Sequence, residues 1–146
     1  MTNASTGKTG PVGVGFIGAG VISDQYLENL VKFPDVKVVF IADLDLARAK
    51  AQADKYSVAL SGTVDELLAN ADVEIVVNLT IPAAHAEVDL KCIAAGKHVW
   101  SEKPYALSRE SAREVDVAAD KAGVLVCVAP DTIMGGGIQT GLRAIQ

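Results

Sequence analysis

Four short segments of the chain hold residues whose types and spacing could do chemistry. The first is Gly18-Ala19-Gly20-Val21-Ile22-Ser23. Its glycines permit a tight turn and bring backbone N–H groups close to an anion such as a phosphate, most of all where a helix begins. The second is Asp43, at about the spacing of twenty residues where a carboxylate can accept hydrogen bonds from a ribose diol. The third is Thr80-Ile81-Pro82-Ala83-Ala84-His85. The fourth is Glu102-Lys103-Pro104, an ionisable pair at a corner stiffened by proline, which keeps Lys103 out of a helical conformation. An ammonium there could stabilise a developing oxyanion or help move a proton, given partial burial to tune its pKa. Taken singly, three of them have a plainer account: a solvated Lys–Glu pair, a helix cap at Asp43, a structural histidine at a helix start.

These segments need elements to position them. An apolar run, Val12–Ile17, reads as a buried strand. Apolar residues then recur at helical spacing over 21–32 until Phe33-Pro34-Asp35 stops the helix. A β-branched strand over 36–42, an Ala-rich helix over 46–56 and a short strand at 58–60 follow. Thr63-Val64-Asp65-Glu66 is a capping box for a helix through Leu68. A strand over 74–79 leads to a helix over 83–95, closed by Gly96 as C-cap. A strand over 97–100, a helix from a Ser108 cap to Ala122 and a strand over 124–128 complete the alternation, and another helix begins after Gly135. Strands alternating with helices mean βαβ units, a parallel sheet and right-handed crossovers. The expected class is α/β: a doubly wound, three-layer αβα sheet of the Rossmann type. In that fold the Gly turn, Asp43, Thr80 and Glu102 all emerge at the carboxyl edge, where ligands bind.

Composition narrows the classes. The net charge of −5 argues against a nucleic-acid surface. Half of the 146 residues are hydrophobic but only 5% aromatic, which suits aliphatic strands buried between helices. Cys92 and Cys127 stand far apart and read as free thiols of a reducing cytosol, and no cluster has metal-ligand spacing. No run is long enough to span a membrane, and the polar start, residues 1–10, reads as a disordered tail without a signal segment. A cytoplasmic protein is expected. Gly7-Lys8-Thr9 lacks the earlier glycine and the strand that a phosphate loop needs, and Asn78-Leu79-Thr80 matches a glycosylation acceptor inside a buried strand.

Together, the Gly turn, Asp43, Thr80 with His85, and Ala95-Gly96-Lys97-His98-Val99 leading to Glu102-Lys103-Pro104 resemble the Gfo/Idh/MocA oxidoreductases over residues 12–128. The resemblance implies that the Gly18 to Ile22 turn, with Gly20 and Val21, binds the pyrophosphate of NAD(P). It implies that Asp43 contacts the adenosine ribose, that Thr80, Pro82 and His85 border the dinucleotide, and that Glu102 and Lys103 lie near the nicotinamide, Lys103 also reaching substrate. NAD is favoured over NADP because a carboxylate repels a 2′-phosphate and no Arg directly follows Asp43, Arg48 coming later. The implied activity is hydride transfer on a secondary alcohol of a sugar, cyclitol or similar polyol, in a homo-oligomer. The nucleotide-binding domain would occupy residues 11–130, and 131–146 would lead toward an α+β substrate domain absent from this sequence, so that this part alone turns over poorly. Departures from the family pattern are Ser23 at the third fingerprint position, Ile81-Pro82 after Thr80, and Trp100-Ser101 before Glu102. A non-catalytic nucleotide sensor and an S-adenosylmethionine methyltransferase share the Gly turn and strand-end acid, although the latter has no use for Glu102-Lys103-Pro104.

Overall fold

The computed structural model describes residues 10–129 and 131–146. The expected tail lies outside the described residues except for Gly10, as does Pro130 at the expected domain boundary. Six strands form one sheet: β1 (Val12–Ile17), β2 (Val36–Ala42), β3 (Leu60–Gly62), β4 (Ile75–Asn78), β5 (His98–Glu102) and β6 (Val126–Ala129). Their order is β3-β2-β1-β4-β5-β6 and every pairing is parallel. The order reverses between β1 and β4, which opens a crevice at their carboxyl ends.

Six helices connect and follow the strands: α1 (Val21–Leu30), α2 (Leu46–Tyr56), α3 (Val64–Ala69), α4 (His85–Ala94), α5 (Arg109–Ala122) and α6 (Gly136–Ala144). Side chains of α1 and α2, such as Leu27, Ala49 and Ala53, pack with Val14, Phe16 and Val77 on one side of the sheet. Leu67 of α3, Cys92 and Ile93 of α4, and Val115 of α5 pack with Val76 and Val99 on the other. The layering is αβα, as expected. It is uneven: on the side of α1 and α2, the outer strands carry Trp100 and Cys127, both exposed. The α6 helix buries none of its residues.

The elements match the sequence reading, and their ends differ for local reasons. Strand β3 begins at Leu60 rather than Val58, because Ser57 takes a left-handed conformation and Val58 N–H closes α2 on Ala53 O. Strand β6 begins at Val126 for the same reason: Gly123 is left-handed and Val124 N–H bonds Ala119 O. The helix expected from Ala83 opens as a 3-10 turn, Pro82–Ala84, before α4 proper. The capping box forms in full, with Thr63 Oγ1 accepting from Glu66 N–H and Glu66 Oε2 accepting from Thr63 N–H.

Candidate functional site

The turn after β1 is fixed by its backbone. Gly18 has φ +103, and a Cβ there would lie 2.7 Å from Leu79 O, so no other residue fits without strain. Its N–H bonds Ala42 O at 2.8 Å, tying the turn to the end of β2. Gly20 then caps α1 with extended backbone, and a Cβ there would meet nothing within 4 Å. That open space lies at the start of a helix, whose first N–H groups, on Val21 and Ile22, come before any intrahelical acceptor, whereas Ser23 N–H already bonds Gly20 O. Val21, next in line, is almost fully exposed. Ser23, the departure from the fingerprint, is fully buried; its hydroxyl donates to Gly20 O at 2.6 Å and accepts from Gln52 of α2 at 2.8 Å. A small side chain is thus kept at the helix–strand contact, with the hydroxyl paired.

Asp43 is buried beside this turn. Its Oδ2 accepts from Ala19 N–H at 2.7 Å and Arg48 Nε at 3.1 Å; its Oδ1 accepts from Asp45 N–H at 2.8 Å and Arg48 Nη2 at 2.7 Å. Burial opposes the charged form, but the Arg48 fork and the two backbone N–H groups outweigh it and hold the carboxyl below its ordinary pKa. Asp45, and not Asp43, caps α2.

The third and fourth segments meet in a cleft of about 850 Å³ that Ile22, Thr80, Pro82, His85, Glu102 and Lys103 all line. Asn78, fully buried at the end of β4, organises its floor: Nδ2 donates to Asp89 of α4 at 2.7 Å, and Oδ1 accepts from both N–H and Oγ1 of Thr80. His85 is also buried, with Nδ1 2.6 Å from Pro104 O and Nε2 3.0 Å from Thr80 O. The ring therefore bridges the loops leaving β4 and β5. Glu102 accepts from Tyr26 OH at 2.7 Å and from Lys103 N–H at 3.0 Å, and Trp100 Nε1 donates to Tyr26 OH at 3.3 Å. Lys103 is exposed, so these residues do not supply the burial asked of it.

All the residues expected at the site lie along one edge, in two groups. Gly18, Gly20, Val21 and Asp43 gather at β1 and β2; the remaining six line the cleft. Tyr26 and Asp89 were not singled out by sequence, and Arg48 was discounted there, yet each holds one of the predicted residues or its neighbour. The conspicuous Gly96-Lys97-His98 block turns out to be scaffolding. Gly96 is left-handed at the end of α4, buried Lys97 donates to Asn70 O and Val73 O, and His98 Nδ1 accepts from Leu125 N–H.

A family model for an oxidoreductase family with an NAD-binding Rossmann fold, GFO_IDH_MocA, matches residues 12–129. The chain belongs to that family. Among curated relatives, the Gfo/Idh/MocA domain is 40% identical over 111 residues to inositol 2-dehydrogenase 2 of Paenarthrobacter aurescens, covering 75% of this chain and 33% of the relative. It is 37% identical over 113 residues to 1,5-anhydro-D-fructose reductase of Ensifer adhaerens, covering 77% of this chain and 34% of that protein. The chain thus spans about a third of the length of the curated relatives it matches. Among solved structures, GenD2 from gentamicin A biosynthesis, in complex with NAD, superposes with TM-score 0.81 at 30% identity, covering 86% of this chain and 36% of that one. KijD10, a 3-ketoreductase from Actinomadura kijaniata solved with NADP, superposes with TM-score 0.87 at 26% identity, covering 92% and 44%.

Proposed function

We propose that this Gfo/Idh/MocA domain holds NAD(P) across its carboxyl edge and serves an oxidoreductase that acts on a secondary alcohol of a sugar, cyclitol or similar polyol. One observation carries the reading. The glycine turn, with open space at Gly20, is joined to the strand-end carboxylate of Asp43 through Ala19 N–H, and both sit on the edge that carries Lys103. These residues fit a dinucleotide: Gly18, Gly20, Val21 and Ile22 would hold its pyrophosphate, Asp43 its adenosine ribose, and Thr80, Pro82, Glu102 and Lys103 would border the nicotinamide end. When bound, the nicotinamide supplies hydride chemistry. The chain's own residues do the rest. Thr80 and Glu102, each held by further hydrogen bonds, shape the cleft, and the Lys103 ammonium would hold or move a proton at the substrate oxygen. The polyol class is carried by the relatives' own names, inositol 2-dehydrogenase among them. Residues 11–130 would be the nucleotide domain and 131–146 the connection to a substrate domain. A cytoplasmic setting is supported by the two free thiols; a homo-oligomeric whole protein rests on the family resemblance alone.

Fluorescence titration of the chain with NADH, NADPH and S-adenosylmethionine tests the cofactor. Binding of a reduced nicotinamide dinucleotide is expected, and binding of S-adenosylmethionine alone would refute the reading. In the complete protein, Lys103→Ala is expected to lower kcat by about a hundredfold or more while NADH still binds; unchanged turnover removes Lys103 from the chemistry.

A further inference from the structure

Resting on the reading of Lys103 above, we propose that Tyr26 is its positioning residue: through Glu102 the tyrosine fixes the backbone from which the Lys103 side chain leaves the end of β5. Trp100 Nε1–H can only donate, and it donates to Tyr26 OH at 3.3 Å. The phenol has a single proton, which goes to Glu102 Oε1 at 2.7 Å. The other carboxylate oxygen, Oε2, accepts from the backbone N–H of Lys103 at 3.0 Å. Glu102 is thus held at both oxygens, on one side by α1 and on the other by the peptide that begins Lys103. Hydrogen bonds to a carboxylate are about twice as strong as those between neutral groups, so Glu102 transmits the tyrosine's position instead of turning freely.

The tyrosine is itself held. Its ring meets Phe16 edge-on, with centroids 6.5 Å apart and planes at 76°, and Phe16 is fully buried in β1. Lys103 is exposed, so its restraint comes from its own backbone, which Glu102 grips on one side and Pro104 limits on the other. The arrangement also joins the two groups of site residues. Tyr26 stands six residues past Gly20 on α1, roughly 9 Å along the helix axis. One helix therefore carries both the N–H groups offered to the pyrophosphate and the hydroxyl that governs Lys103. The separation between the two ends of the site is built into a single element.

Tyr26→Phe keeps the ring against Phe16 and removes the hydroxyl. In the chain, amide hydrogen exchange at Lys103 is expected to speed up by about tenfold, the worth of one hydrogen bond. Val99 N–H, bonded to Leu125 O at 2.9 Å in the same strand, should keep its rate. An unchanged Lys103 rate overturns the proposal, and so does equal acceleration at both amides, which means a general loosening. In the complete protein, Tyr26→Phe is expected to lower kcat by about tenfold while NADH affinity changes by less than about twofold. In a Lys103→Ala background it should cost nothing further, because it acts through that lysine; additive losses overturn the route through Lys103. Should Tyr26→Phe fail to fold, Glu102→Gln cuts the next link, since its one oxygen cannot accept from both Tyr26 and Lys103, and the same two measurements apply. If Lys103→Ala alone leaves turnover unchanged, the failure lies with the reading of Lys103, and the proposal falls with it.

Discussion

Asp89 shows how much of the site depends on side chains behind it. It is fully buried under the exits of β4 and β5; Oδ1 accepts from Asn78, while Oδ2 and the neighbouring Ser101 Oγ lack a hydrogen bond of good geometry among the described residues. Burial raises its pKa above the ordinary carboxylate value, with Asn78, Ser101 and His85 pulling less strongly the other way. As pH rises, the unfolded chain therefore loses this proton first. Stability from the site is greatest below the ordinary carboxylate pKa, about 3.9, and falls as pH climbs toward the folded value. Asn keeps the shape, drops the charge and sets an N–H beside Ser101. Asp89→Asn is thus expected to melt higher than wild type near neutral pH, with the gap closing in acid; thermal melts across pH that show a constant gap would refute this. Sequence reading reached the glycines and Asp43 because their spacing is local. It missed Asp89 and Tyr26, and set Arg48 aside as too far along the chain, because their contacts depend on directions that only tertiary packing sets. Tyr26 sits on the apolar stripe of α1 and reads as core until its hydroxyl is seen on Glu102.

At the level of elements, the same contrast appears in the strand ends. Capping residues announced the starts of α3 and α5, and Gly96 and Gly123 announced the ends of α4 and α5. Ser57 gave no such notice, since a left-handed serine is unusual, and β3 was placed two residues early. The start of α3 offers a direct measure. Its single turn and a half would be marginal alone, and it exists to seat Leu67, which is fully buried under the sheet. Thr63→Ala removes the side-chain half of the capping box and is expected to cost about 1 kcal/mol in urea unfolding. A loss below about 0.3 kcal/mol would mean that the packing of Leu67 alone holds the helix.

Across the whole molecule, topology was the most legible property, because alternation of strand and helix with right-handed crossovers leaves few alternatives. Coverage of the sheet was less so: composition does not say which side a helix takes, and the two sides are unequally clothed. That inequality gives the chain a pair of built-in chemical reporters. Cys92, inside the α4 layer, has its thiol pushed up to about 12 by burial, whereas Cys127 on the bare flank is open to solvent. A thiol reagent should therefore count one sulfur per native chain and two once the chain is denatured. Two fast-reacting sulfurs in the native state would contradict the burial of α4. The second, slow reaction clocks the opening of the α4 layer beneath the cleft, and a dinucleotide that grips this edge should slow it without touching the first.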